Sequence, residues 1–108
     1  MSSNKKKIEF AIEMIEDIET YLTRFDSVTA LLDDKMGFNA TLMNLMQIGE
    51  TLRKLQGKYA ELDNDDIKGA YDVRNFIAHD YEGIRKSIIE SIIREHLPKL
   101  KNALEKII

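Results

Sequence analysis

The chain has 108 residues, of which 44% are hydrophobic and 32% are charged, so it has the size and composition of one folded domain rather than of a disordered chain. It contains no cysteine, which excludes disulfides and thiolate metal sites. Its net charge of −3 argues against bulk nucleic-acid binding through a basic surface, so contacts to a nucleic acid would have to be local.

In the first half of the chain, apolar residues recur at three- and four-residue spacing. This period predicts an amphipathic helix from about Lys5 to Phe25. A shorter helical piece is expected over Ser27–Lys35, ending near Gly37. Asn39 is a favourable N-cap, so the next long helix is predicted to begin there and to end near Gly57.

The second half is predicted to hold two further helices. Asn64 can cap the first of them, because two aspartates follow in the turn where the helix dipole favours acids, and the helix is expected to continue until Gly83. The last helix should start near Ile84. Pro98 should kink or break it, because proline has no amide proton to donate.

Together these segments predict an all-α fold, a four- to five-helix up-and-down bundle that forms a single domain over residues 1–108. No stretch has the pattern of a signal peptide or a membrane span, so we expect a cytoplasmic protein that does not associate with a membrane. The last helix carries two adjacent apolar stripes, formed by Ile88, Ile89, Ile92 and Ile93. Either this helix is central, or its second stripe packs against another subunit; we favour the second interpretation.

Two kinds of ligand site are poorly supported. The acidic cluster that begins at Asp63 has Lys68 and Asn75 where a calcium loop needs glycine and glutamate, so a capped helix start explains it better. The five glycines are scattered singly and form no phosphate-binding loop. We therefore expect no metal and no cofactor. His96 lies among charged residues and is interpreted as a surface histidine.

The segment Arg74–Tyr81 is the strongest candidate for chemistry, because it places five different polar groups near the end of one helix. Arg74 offers a planar set of donors suited to a phosphate and to the charge that develops on it during reaction. His79 supplies an imidazole, a group that can take or give a proton in catalysis. Together they suit metal-free cleavage of RNA, in which a 2′-hydroxyl attacks its own phosphate.

Helical geometry limits how these groups can meet. If the helix continues to Gly83, Arg74 and Tyr81 share one stripe, and Asn75 and His79 share the neighbouring one. Arg74 and His79 then diverge by about 140°. The reaction needs a base and an acid, yet one chain offers a single plausible catalytic imidazole. A two-fold dimer that brings two His79 side chains together would supply both.

The residues from Val73 to Ile84 resemble the Arg-x-x-x-x-His-x-Tyr signature of HepT-like proteins, the HEPN half of MNT–HEPN toxin–antitoxin modules. The stretch Asn44–Glu50 is a second match, and the Leu97-Pro98 break agrees as well. Two departures stand out. Many relatives begin the third helix with Pro-Trp, where this chain has Asp-Ile-Lys, and Arg85 stands where relatives often carry aspartate. An arginine at this position is able to add a phosphate contact beside Arg74.

The resemblance implies a type II toxin, a homodimer in which two Arg74/His79 pairs line a shared cleft and cleave RNA without a metal. It also implies a nucleotidyltransferase antitoxin that transfers AMP from ATP to Tyr81. Asn75 would orient the site, and Glu50 would have a supporting polar role. The alternative is a non-catalytic helical module that docks onto a nucleotidyltransferase, and a third possibility is a structural dimerisation domain.

Overall fold

The computed structural model describes residues 3–108, and this part of the chain is helical without any strand, so the all-α prediction is confirmed. A 3₁₀ turn at Tyr81–Gly83 follows the fourth helix. A π-helical turn at Ile92–His96 joins the last two helices. The helices are α1 (Asn4–Leu22), α2 (Val28–Asp33), α3 (Lys35–Lys54), α4 (Asn64–His79), α5 (Lys86–Ser91) and α6 (Leu97–Glu105).

In two helices the observed N-cap precedes the predicted one. Asp34 caps α3 by accepting a hydrogen bond of 2.8 Å from the Gly37 amide, so Asn39 lies inside the helix and its prediction as a cap was wrong. Asp63 caps α4, and Asn64 is the first helical residue. Aspartate and asparagine cap helices about equally well, so residue type alone does not choose between nearby candidates.

The end of α4 differs from the prediction in a way that affects the candidate site. The helix ends at His79, four residues before Gly83, because Asp80 adopts φ −146° and ψ 60°, outside the helical region. The chain then turns, with the Gly83 amide donating to the Asp80 carbonyl at 3.0 Å. Tyr81 therefore lies in the 3₁₀ turn and does not share a helical stripe with Arg74.

At Pro98 the helix widens instead of breaking. Proline cannot donate to the carbonyl four residues earlier, and its ring crowds that carbonyl. The π turn over Ile92–His96 absorbs this misfit, so α5, the π turn and α6 form one continuous helical run, which we call the C-terminal rod. Counted with the rod as one helix, residues 3–108 form a bundle of five helices.

The core is built around α3, which packs against α1 and α2 on one side and against α4 on the other. The C-terminal rod closes the bundle through α1 and α2, whereas α4 packs mainly against α3. Burial of each large side chain in this core contributes about 1.5–3 kcal/mol relative to exposure. The most deeply buried are Ile8, Ile15, Ile18, Leu31, Leu32, Leu42, Ile48, Leu52, Leu55, Ile67, Ile89 and Leu104.

A buried amide links α1 to α3. Asn44 is only 6% exposed, and its Nδ2 donates to the Met14 carbonyl at 2.9 Å. Its Oδ1 accepts a hydrogen bond of 3.2 Å from the Tyr21 hydroxyl. This residue belongs to the second stretch that carries the family resemblance, and its contacts give it a structural role.

None of the helices within residues 3–108 combines the length and the apolar character that a membrane span needs.

Candidate functional site

Arg74 lies on the face of α4 that meets α3, and two neighbours hold its guanidinium. Its Nη1 donates to the Asn75 Oδ1 at 2.9 Å. Its Nε lies 2.5 Å from the Glu50 Oε1, which makes an ion pair. The Nε is nevertheless a buried donor without an aligned hydrogen bond, so this contact is an ion pair in which the N–H does not point at the oxygen. The structure thus brings together three predicted residues, Arg74, Asn75 and Glu50.

Gly49 allows this contact between the two helices. A Cβ at this position would lie 2.6 Å from the Ala70 carbonyl oxygen and 2.7 Å from the Arg74 Cβ, both closer than real Cβ contacts. Glycine therefore lets α3 approach α4 at the level of Arg74, which places Glu50 against the guanidinium.

A second guanidinium contacts the same tyrosine ring as the first. The Arg53 Cζ is 4.8 Å from the centre of the Tyr71 ring, and the Arg74 Cζ is 5.8 Å from the same centre. The motif does not contain Arg53 or Tyr71, and neither was predicted as a site residue. A signal was available, because Tyr71 is three residues before Arg74 and Arg53 is three residues after Glu50, and such residues are neighbours on a helix surface.

His79 occupies the last turn of α4, and its side chain is exposed. Within the described residues its imidazole makes no side-chain hydrogen bond or ion pair. Because α4 stays helical up to this residue, Arg74 and His79 keep their angular separation, and no hydrogen bond joins them. One copy of the chain therefore presents the two groups in different directions.

Tyr81 is anchored to the first half of α3. Its hydroxyl donates a hydrogen bond to the Asn39 Oδ1. Its ring meets Phe38 edge-on, with 6.4 Å between ring centres. The side chain is still 44% exposed, so the residue is accessible although its hydroxyl has a partner. Asn39, which the sequence analysis treated only as a cap, is thus a neighbour of the predicted modification site.

An open apolar groove of about 340 Å³ separates α4 from the C-terminal rod. Of the two predicted isoleucine stripes, Ile89 and Ile93 are buried in the core, whereas Ile88 and Ile92 line the groove, and Ile88 is 49% exposed. Val73 of α4 forms part of the opposite wall. One apolar face of the last helix is therefore uncovered in a single copy of the chain.

Among residues 3–108 there is no group of three or more His, Asp or Glu side chains placed to hold a metal ion.

Comparison with known proteins identifies one family. A family model described as "Ribonuclease HepT-like" matches residues 11–107, a stretch that contains all five predicted site residues. No curated protein and no solved structure gives a significant match.

Proposed function

The chain belongs to the HepT-like family of ribonucleases, and we propose that it is a metal-independent endoribonuclease toxin whose chemistry is performed by Arg74 and His79. The observation that carries this proposal is the exposure of His79 and the set of polar contacts that Arg74 makes. His79 is exposed and has no polar partner among the described residues, and Arg74 is fixed by two neighbours with part of its donor set unused. Both lie inside the family match.

Arg74 binds the scissile phosphate in this proposal. A guanidinium has five N–H donors; in Arg74 the Nε–H lies next to Glu50 without an aligned hydrogen bond, and one donor of Nη1 is taken by Asn75. The two donors on Nη2 form part of the planar edge that pairs with phosphate oxygens. Because Glu50 and Asn75 hold the group in place, it is already oriented when negative charge builds up on the phosphate in the transition state.

His79 moves the protons. One imidazole takes the proton of the 2′-hydroxyl, whose oxygen attacks the neighbouring phosphorus. The bond from phosphorus to the 5′-oxygen breaks, and an imidazolium gives its proton to that oxygen. The products are a 2′,3′-cyclic phosphate and a 5′-hydroxyl. Since each chain supplies one His79, the proposed active form is a homodimer in which two copies share the cleft.

The surface next to His79 suits such a dimer. Phe76 is three residues from both Val73, which lines the groove, and His79, so it is a neighbour of each on the surface of α4. Phe76 is 50% exposed, and Ile88 across the groove is 49% exposed. A second copy that covers these apolar side chains would bury surface that a single chain leaves in water and would bring the two His79 side chains close together.

Tyr81 is the proposed site of regulation by a nucleotidyltransferase antitoxin. The phenol oxygen would attack the α-phosphorus of ATP, pyrophosphate would leave, and the phenol proton would pass to solvent. The attached AMP adds a negative charge and a nucleotide two residues beyond His79, where it would block RNA by charge and bulk. We propose that the side chain turns away from α3 to enter the transferase site, in which case its hydrogen bond to Asn39 opposes modification.

Cleavage of RNA in EDTA, with analysis of the product ends, tests the nuclease proposal. We expect cyclic phosphate ends with and without EDTA. His79→Ala should lower the rate roughly 10²–10⁴-fold, and Arg74→Lys should also be strongly impaired because an ammonium has no planar fork. His96→Ala is the control for loss of an exposed imidazole, since His96 lies on the C-terminal rod and makes no hydrogen bond or ion pair with Arg74.

Two results would contradict the proposal: full activity in His79→Ala, or activity that EDTA abolishes and magnesium restores. If the protein cleaves no RNA but binds the transferase tightly, the docking module becomes the better interpretation.

A further inference from the structure

Arg53 is an exposed arginine in the last turn of α3, and no carboxylate pairs with it among the described residues. Its guanidinium lies against Tyr71, the ring that also contacts Arg74. We infer that Arg53 is a second phosphate-binding residue, which holds a phosphate next to the one at Arg74 on the same RNA strand. The inference rests on the proposed ribonuclease function and adds a binding site to it.

The charge balance around Arg74 shows why a second cation is needed. Arg74 and Glu50 form an ion pair, so together they carry no net charge. A phosphate that approaches this pair meets hydrogen-bond donors but little net attraction, and the chain as a whole has a charge of −3. Arg53 contributes a positive charge that no described carboxylate neutralises, and it does so beside the donors of Arg74.

The geometry suits one strand that passes over both groups. The two guanidinium carbons lie 4.8 and 5.8 Å from one ring centre, so they are at most about 10.6 Å apart. This span is short enough for adjacent phosphates of an extended strand to reach both. Tyr71 contributes by contact with the guanidinium groups, which limits their rotation before RNA binds and so reduces the entropy lost on binding.

A simpler role for Arg53 makes a different forecast. Arg53 and Lys54 end α3, where the helix dipole favours any cation. In that role Arg53→Lys would behave like the parent protein, because the charge is kept. Phosphate binding through a guanidinium that lies against Tyr71 predicts that lysine is a poor substitute, since it lacks both the planar fork and the flat surface that meets the ring.

Cleavage of two substrates of different length tests the inference. One is a dinucleotide with a single phosphate, and the other is a hexanucleotide of RNA. For Arg53→Gln we expect KM for the hexanucleotide to rise roughly tenfold, as for loss of one charged hydrogen-bond contact, with kcat unchanged. KM for the dinucleotide should not change, because it has no second phosphate. The salt dependence of hexanucleotide binding should weaken by a slope of about 0.7.

Arg53→Lys should lose most of the same affinity, and the control Arg24→Gln, an exposed arginine just after α1, should lose none. Three results would overturn the inference. They are an equal effect of Arg53→Gln on both substrates, a KM for Arg53→Gln no higher than for Arg24→Gln, and full retention of affinity in Arg53→Lys. If the parent protein cleaves RNA and Arg53→Gln cleaves it equally well, only the proposed role of Arg53 is refuted. A parent protein that cleaves neither substrate refutes the nuclease. Anisotropy with a labelled 2′-deoxy hexanucleotide then still compares Arg53→Gln with Arg24→Gln, and equal binding overturns the inference.

Discussion

Helix α3 takes part in two interfaces that differ in how completely their polar groups are paired. Against α1 it buries Asn44, whose amide both donates and accepts a hydrogen bond. Against α4 it places Glu50 beside Arg74, where a buried Nε has no aligned hydrogen bond. At the end of α4, His79 has no described polar partner at all.

The difference separates what stabilises the fold from what is left for chemistry. A buried polar group with all its hydrogen bonds made contributes to stability, and its loss leaves partners unsatisfied. A group with spare donors, or with an exposed titratable nitrogen, adds little to stability but can act on a substrate. Substitutions on the α1 side should therefore change unfolding, whereas substitutions on the α4 side should change activity.

Of the changes that test this separation, Gly49→Ala should have the largest effect, because it should lower both stability and activity. The added Cβ would collide with the Ala70 carbonyl and the Arg74 Cβ, so α4 must move away from α3. We expect a loss of about 1–3 kcal/mol in the free energy of unfolding. We also expect at least roughly tenfold slower RNA cleavage, since a displacement of about 1 Å in a binding group can cost 10²-fold.

Gly69→Ala is the matched control for Gly49→Ala. Gly69 lines the apolar groove on α4, seven residues before Phe76, and a Cβ there would meet nothing within 4 Å in the same chain. Alanine should stabilise the helix by up to about 1 kcal/mol and leave cleavage unchanged. Denaturant unfolding and cleavage rates measured on both variants make the comparison. If the two variants behave alike, the close approach of α3 and α4 does not position Arg74.

Asn44→Ala should act on stability alone. It removes both hydrogen bonds between α1 and α3 and leaves the Met14 carbonyl without its donor. We expect a loss of about 1–3 kcal/mol in the free energy of unfolding. Activity per folded molecule, measured well below the unfolding temperature, should equal that of the parent. A variant that is as stable as the parent but inactive would place Asn44 in the site and break the separation.

Asn39→Ala should have the smallest effect, which is an increase in the rate at which Tyr81 is modified. It frees the Tyr81 hydroxyl from its only described hydrogen bond while Phe38 still holds the ring. A net hydrogen bond of about 0.5–1.5 kcal/mol corresponds to a modification rate roughly two- to tenfold higher. Intact-mass spectrometry with ATP and the transferase partner measures it, with Tyr81→Phe as the variant that should gain no AMP. Slower modification of Asn39→Ala would show that Asn39 assists the reaction.

The sequence predicted the helices well because their apolar period reflects one large core, as with the stripe that leads from Ile8 to Ile18 in α1. It predicted helix ends less well. The end of α4 at His79 depends on the backbone conformation of Asp80, which no periodicity reveals. That error put Tyr81 on the stripe of Arg74, whereas it lies against Phe38 and Asn39.

At the candidate site, only contacts between residues close together in the sequence could be predicted. The contact of Arg74 with Asn75 is between neighbours in sequence. The contact of Arg53 with Tyr71 joins two helices, so it depends on how α3 and α4 pair. Gly49 sets that pairing, and its effect appears only once both backbones are in place.

The central claim is that two His79 side chains from two copies of the chain serve one cleavage site. It is tested most directly by mixing the parent protein with His79→Ala at constant total concentration, after refolding together so that subunits exchange. If both imidazoles are needed, only parent dimers are active, so activity should fall with the square of the parent fraction, to about one quarter in an equal mixture. A linear fall, to about one half, would show that each chain acts alone and would contradict the shared site.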